Sequence, residues 1–542
     1  MLNSQSFSTD SISLHVSKNN KDRRITMNFK NPRKHVLGMA IALALTGTAF
    51  ADNEALVLQT SVAGALEGNE AYVEQRGSIN LAIVDQDGGL NDTQVNQDGV
   101  WHEAFAFSVG EDNWIRLEQQ DDWHIAFVDI AGNENTATVT QEGFWNVAEI
   151  AISGDVNDAA VFQNGDQSEA TIVLTGDANF VEIIQEGDAN WSNAGFTGNN
   201  NELFSVQEGS FNESGMFQLF GDGNIMEVEQ YGDGNVGGVV GVNGDNNTFY
   251  IQQFGSDNVF IAFDVSGEGN QVDVYQDGSQ NQFILEPLAG VDNIIWVQQE
   301  GVANVVDAPI GVTGNDNVID VWQQGNDNVA FFATFGDGHD IEIYQDGSQN
   351  VGEVILDGGM NQAFIQSAGE FNYAGAAAFG YNNTIIIEQN GSDNFALGNV
   401  EFGFDNVIEI HQDGVENFAY VEFMGADNQF SIDQSGDFNE VIATGDGIVF
   451  DQQFTAQQQG DFNLVDVLLA GSDNVMNILQ VGNGNWVTGN TGPSFVQGGS
   501  AGVVSISQLG NDNLVMGSQM GAGNVMTINQ VGDFNTATVI QH

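Results

Sequence analysis

Between its glycine-rich turns the chain alternates in polarity. In Asn270 to Gly278, "NQVDVYQDG", Val272, Val274 and Gln276 share one parity while Gln271, Asp273 and Tyr275 share the other. The same grouping recurs for Ile341, Ile343 and Gln345, for Ile408, Ile410 and Gln412, and for Phe430, Ile432 and Gln434. A period of two, rich in Val, Ile and Phe and bounded by Gly, Asp and Asn, predicts strands with one buried face. No helical period competes with it.

The strands recur on a ruler. "YQDGSQN" stands at Tyr275–Asn281 and again, unchanged, at Tyr344–Asn350. The pattern Gln-x-Gly-x-x-Asn begins in one register at Gln75, Gln141, Gln185, Gln207, Gln230, Gln253, Gln276, Gln299, Gln323, Gln345, Gln389, Gln412, Gln434, Gln458, Gln480, Gln508 and Gln530. It closes correspondingly on Asn80, Asn146, Asn190, Asn212, Asn235, Asn258, Asn281, Asn304, Asn328, Asn350, Asn394, Asn417, Asn439, Asn463, Asn485, Asn513 and Asn535. Degenerate copies at Gln97, Gln119, Gln163 and Gln366 fill the gaps, giving intervals of 21 to 24 residues except for 28 between Gln480 and Gln508, where "NTGPS" with Pro493 reads as an insertion. About eleven residues after each copy comes a second Gly-x-x-Asn, as at Gly154, Gly176, Gly221, Gly267, Gly290 and Gly425, and complete copies at Gln86 and Gln519 share this half-step register. A repeat of this length is one supersecondary unit that buries its core only by stacking.

Strand, turn, strand, turn in about 22 residues predicts an all-β parallel β-solenoid (β-helix) of about twenty repeats with amyloid-like stacking. Turn glycines such as Gly187, Gly209, Gly255, Gly278, Gly347 and Gly414 suit positive φ, and the Asn closing each turn is expected to tolerate left-handed geometry and bond nearby backbone. The Gln side chains share the parity of the buried Val and Ile. An unpaired buried amide costs about 1–3 kcal/mol, so the columns of Gln and Asn are expected to form ladders, each amide donating to one neighbouring rung and accepting from the other. The alternative, solvated turn residues, predicts exposure instead.

Charge narrows the function classes. From Asp52 onward there are two basic residues, Arg76 and Arg116, against 73 acidic ones, with no lysine and no cysteine. Such a surface repels nucleic acid and anionic membrane and favours cations. Thiolate metal sites, disulfides and thiol catalysis are excluded together. His102, His124, His339, His411 and His542 are scattered and expected to be solvated, no catalytic motif is present, and the expectation is a protein without catalytic or cofactor sites. Acids in stacked turns are read mainly as solubilising charge, with the turns at Gly221, Gly232, Gly325 and Gly510 as candidate weak calcium loci.

Seven of the nine basic residues precede Ala51. Residues 27–51 read as a secretory signal peptide, with Lys30, Arg33 and Lys34, an apolar stretch from Val36 to Leu45, and cleavage after Ala49-Phe50-Ala51, before Asp52. Residues 1–26 read as an upstream mis-start or, alternatively, a signal extension. Residues 52–74 are a short segment with a partial repeat, and 75–542 the repeat region.

Gln-x-Gly-x-x-Asn-x-Ala-x-x-x-Gln, complete in "QRGSINLAIVDQ" (Gln75–Gln86) and "QVGDFNTATVIQ" (Gln530–Gln541), resembles the repeat of curlin, the subunit of curli, a secreted bacterial functional amyloid. Ala148, Ala330, Ala396 and Ala419 repeat its alanine. The resemblance implies a fibre subunit of the extracellular matrix that reaches the cell surface through the periplasm, serves adhesion and biofilm, and self-associates with the help of a nucleator and an outer-membrane export pore. Here the second Gln is usually apolar, as in "NVAEIAISG", which makes the expected core less amide-lined. A soluble acidic rod binding a cation, a receptor or ice is the rival. Good repeats near both ends favour growth by stacking.

Overall fold

The computed structural model describes residues 53–61, 68–401 and 403–542, so the readings on residues 1–51 and the cleavage at Ala49, Ala51 and Asp52 lie outside the described residues. Regular structure among the described residues is β-strand throughout. The chain winds between two parallel sheets, and each coil adds one strand to the first and either one strand or shorter pieces to the second. The first sheet holds 21 strands, from Glu70–Ser78 to Val525–Val531. The second runs from Glu54–Ser61 to Thr536–Gln541. At about 4.8 Å per rung the rod is on the order of 100 Å long.

Register follows the ruler: Val272 pairs with Ile295, and Gln276 with Gln299. Apolar residues of inward parity from both sheets form one core that runs the length of the rod. Ala82, Ala148, Ala330, Ala396 and Ala419 face inward from the second sheet, buried. Small residues there leave room for the Gln side chains opposite. A Cβ on Gly237 would lie 3.3 Å from Gln230 Nε2, and one on Gly352 would lie 3.4 Å from Gln345 Nε2.

The turn glycine is required twice over. Gly278 and Gly347 both have φ of 124°, and a Cβ on either would lie 2.0 Å from the carbonyl oxygen of the equivalent glycine one rung on. Gly187, Gly209, Gly255 and Gly414 repeat the conformation, with φ of 107°, 118°, 103° and 134°. The second left-handed residue is not the Asn, as the sequence led us to expect, but the residue before it: Gln280 at 60° and Gln349 at 56°. The reason is directional. The left-handed residue turns the chain so that the next side chain, Asn281 or Asn350, points inward.

The insertion around Pro493 lies between the short strands Trp486–Thr488 and Phe495–Gln497 of the second sheet. On the first sheet the stack continues past it, and Gln480 still bonds Gln508 at 2.8 Å.

Candidate functional site

The inward Gln residues of the first sheet form a column. Each Nε2 donates to the Oε1 one rung toward the C-terminus, from Gln75 through Gln97, Gln119, Gln141, Gln163, Gln185, Gln207, Gln230, Gln253, Gln276, Gln299 and Gln323 to Gln345, at 2.7–3.0 Å. The second proton goes to a backbone carbonyl at the start of the preceding second-sheet strand, as from Gln276 to Val259 at 3.0 Å. The amide thereby ties rung to rung and sheet to sheet.

The column then breaks once. Gln366 does not fill it: it faces outward, opposite Tyr344, and Ser367 occupies the inward place opposite Gln345. Gln366 lies three residues before Gly369, whereas the ladder Gln residues lie two before the turn glycine, or before Asp121 in the case of Gln119, so its parity is opposite. Ser367 Oγ donates to Gln389 Oε1 at 3.2 Å, and the column resumes through Gln412, Gln434, Gln458, Gln480 and Gln508 to Gln530.

The Asn side chains form a second column of opposite polarity. Asn281 Nδ2 donates back to Asn258 Oδ1 at 3.1 Å, and the same oxygen accepts the Asn281 backbone N–H at 3.1 Å. Asn281 Nδ2 also reaches the Gly301 carbonyl one rung on, at 3.1 Å. From Asn190 to Asn535 this column is continuous, each residue drawing its backbone N–H to the Oδ1 behind it. Asn80 and Asn146 belong to its less regular N-terminal part.

Two further sets did not emerge as site residues from the sequence. The half-step Asn residues, such as Asn113, Asn135, Asn157 and Asn179, make an equivalent column at the opposite turn. Short Gln ladders also line the second sheet near its ends, Gln59 to Gln86 at 2.7 Å and Gln497 to Gln519 to Gln541 at 3.4 and 3.1 Å. The recurrent Gly-x-x-Asn carried the first signal. At Gln497 the closing Asn is replaced by Gly502, which hid the second.

Three histidines contradict the expectation of solvation. His102, His124 and His339 are buried because they occupy ladder positions where other rungs carry Asn. His102 and His124 stack with ring centroids 5.2 Å apart. Their Nδ1 atoms accept backbone N–H groups from His124 and Asn146, at 3.4 and 3.2 Å. Burial holds His102 below the usual imidazole range and pushes His124 down to about 4. His411 follows the expectation, facing outward with Nδ1 2.7 Å from Glu388 Oε2, and His542 is exposed.

Nor is the acidic charge of the turns only solubilising. Asp177 Oδ1 accepts the Asp155 backbone N–H at 2.8 Å, and Asp245 Oδ1 accepts that of Asp222 at the same distance. The turn carboxylates thus form a third rung-to-rung contact. Among the described residues no group of three or more His, Cys, Asp or Glu is gathered as a metal site.

The geometry is that of a stacked lattice, with the amide columns bonded from one repeat to the next apart from interruptions such as the Ser367 rung. A family model for the curlin associated repeat matches residues 110–143, 132–173, 314–347 and 403–436. These segments of the chain carry the curlin associated repeat. No curated protein matches the chain. The matched segments carry the amide columns, and the second match spans the Gln141 and Gln163 rungs. The repeat and the solenoid point to a structural rather than a catalytic protein.

Proposed function

We propose that the protein is a secreted structural subunit of curli-like fibres that serves the extracellular matrix in adhesion and biofilm. The observation that carries this reading is the opposed polarity of the columns: Gln side chains donate toward the C-terminal end and Asn side chains toward the N-terminal end. One side of a rung that carries both amides is therefore complementary to the other side of another such rung, within a chain or between chains. A second copy joining end to end continues both columns and the strand pairing, with each added amide satisfied. By family likeness, a nucleator subunit and an outer-membrane export pore are the proposed partners, and the cell surface the proposed location.

Charge opposes this growth. Two carboxylates one rung apart repel by about 0.9 kcal/mol in bulk water, and a Debye length of about 8 Å does not fully screen them. Salt, or divalent cations such as calcium held weakly at the acidic turns, therefore promotes assembly. The test is incubation of residues 52–542 from low salt to about 0.5 M, with and without chelator, read by thioflavin fluorescence and fibre diffraction. The expected result is salt-accelerated fibres with reflections near 4.8 and about 10 Å. Soluble monomers at every salt concentration would replace this reading with the acidic binding rod, and fibre growth insensitive to salt and chelator would remove the electrostatic part alone.

A further inference from the structure

The outward face of the first sheet carries aromatic residues on successive rungs, and they bound a groove of about 410 Å³. Its centre lies on the strands Gln271–Ser279, Ile294–Val302 and Val318–Asn326. Asp273, Trp296 and Asp320 follow one another in a single column, and Trp322 stands two residues beyond Asp320 on the same strand. Trp296 is 42% exposed, yet its ring is held: the indole Nε1 donates to Asp273 Oδ2 at 3.1 Å, and the same oxygen accepts Gln271 Nε2 at 2.8 Å. Trp322 is fixed from its other side by Tyr344, stacked with centroids 4.0 Å apart.

Asp320 is the unspent group. It is solvent-accessible, makes no hydrogen bond or ion pair among the described residues, and is crowded enough by its neighbours that burial raises its carboxyl above the usual range. A fixed indole face beside an uncompensated carboxylate is the pair of features that a guanidinium satisfies at once. Its plane stacks on the aromatic ring and its N–H fork bonds the carboxylate. An ammonium lacks the flat face, and a neutral sugar leaves the carboxylate unpaired. The field of the chain, with 73 acidic residues from Asp52 onward, favours a cation over a neutral ligand.

We propose that this groove receives an arginine side chain from another protein, with Trp296 as the stacking platform and Asp320 as the counter-ion. The site is on the flank of the rod and does not rest on fibre growth. Lateral docking leaves the rod ends free, so a fibre would display it once per subunit.

The test follows the Trp296 indole N–H resonance of the whole chain, assigned with Trp296→Phe, during titration with the peptides Gly-Arg-Gly and Gly-Lys-Gly and with cellotetraose. A saturable shift with the arginine peptide is expected, at least about fivefold weaker for the lysine peptide and about fivefold weaker in Asp320→Asn. Asp320 faces solvent, so its replacement leaves the fold intact, and the unchanged indole spectrum of the free variant checks this. Equal responses to the two peptides would reduce the groove to bulk electrostatics and overturn the proposal, as would a saturable response to cellotetraose without one to arginine. Dimerisation of the free chain that shifts the Trp296 resonance and is lost in Arg116→Gln would assign the groove to a second copy and overturn it equally.

Discussion

The two sheets of one rod differ in regularity. From Gln271 to Val415 each strand of the first sheet runs nine residues, for example Gln271–Ser279, Asp340–Ser348 and Val407–Val415. Over the same rungs the second sheet breaks into pieces of two to four residues, such as Gln282–Leu285 with Leu288–Ala289, Val329–Phe331 with Thr334–Phe335, and Tyr373–Ala374. Both sheets bury alternate apolar residues, so hydrophobicity does not separate them. What differs is the place occupied by Gln276 on the first sheet, which on the second is filled by apolar residues such as Ile152, Leu174, Val265 and Leu288. Apolar contacts lack direction and tolerate displacement of the backbone, whereas an amide column fixes each rung by bonds of defined length and angle. Over these rungs regular pairing follows the side that carries the directional groups, whereas nearer the N-terminus the second sheet keeps unbroken strands, Val147–Ser153 and Glu169–Thr175, around Ile152 and Leu174.

The sharpest way to break this contrast is Gln276→Leu. It leaves Gln253 Nε2 and Gln299 Oε1 without their partners and removes the bond to Val259 O. A local cost of about 2–4 kcal/mol is expected. Val265→Ala, at the matching place on the second sheet, is expected to cost about 2 kcal/mol through lost burial alone. Because a long solenoid does not unfold in one step, hydrogen exchange at rungs 253–299 is the suitable readout. Loss of protection that is equal in extent for the two variants would erase the distinction between the faces.

A smaller effect is expected at His124, where the turn leaving the first sheet substitutes an imidazole for the ladder amide. Its folded pKa of about 4 lies below the ordinary value near 6.5, so the folded state holds the neutral ring while the unfolded chain takes up a proton. Stability contributed by this site is unaffected above about pH 6.5, is lost as pH falls below it, and levels off below the folded value. At about pH 5 the loss amounts to about 2 kcal/mol. His124→Asn should reduce this pH dependence to the part carried by His102, measured as protection of rungs 119–146 at about pH 5 against about pH 7.5. An unchanged profile would mean that the ring is not held neutral.

Repair of the broken rung should give about 1 kcal/mol. Ser367→Gln restores an acceptor for Gln345 Nε2, which now donates to Val329 O at 3.0 Å without a Gln beyond it. Protection of residues 345–389 should rise, and a fall would show that the local backbone no longer accommodates the longer side chain. Least of all, Asp245→Asn keeps the acceptor for the Asp222 N–H while removing a charge between Asp222 and Glu268. A gain of a few tenths of a kcal/mol that vanishes at high salt is expected, measured as the same local protection at two ionic strengths.

Much of this architecture is legible in the sequence because its signals are local. The parity that groups Gln276 with Val272 and Val274 gives the strand and its buried face, and the spacing from Gln to Gly gives the phase. The same spacing, applied to Gly369, points to Ser367 rather than Gln366. His102, His124 and His339 carry the same kind of information, since each stands where a neighbouring repeat has Asn, but the chemistry of histidine invites a solvated reading. The groove at Trp296 and Asp320 was not legible. Intervals of 23 and 24 residues separate Asp273, Trp296 and Asp320, and only the resulting register brings them into one column.

The amino-acid sequence by itself determined strand, turn and rung, because a period of two and the glycine-bearing turns are properties of neighbouring residues. Only the tertiary structure decided the opposed directions of the Gln and Asn columns, the burial of the histidines, the left-handed residue ahead of each Asn and the broken strands of the second sheet. Each of these depends on what stands one repeat away, where the donor or acceptor that satisfies a buried amide is supplied by the next coil.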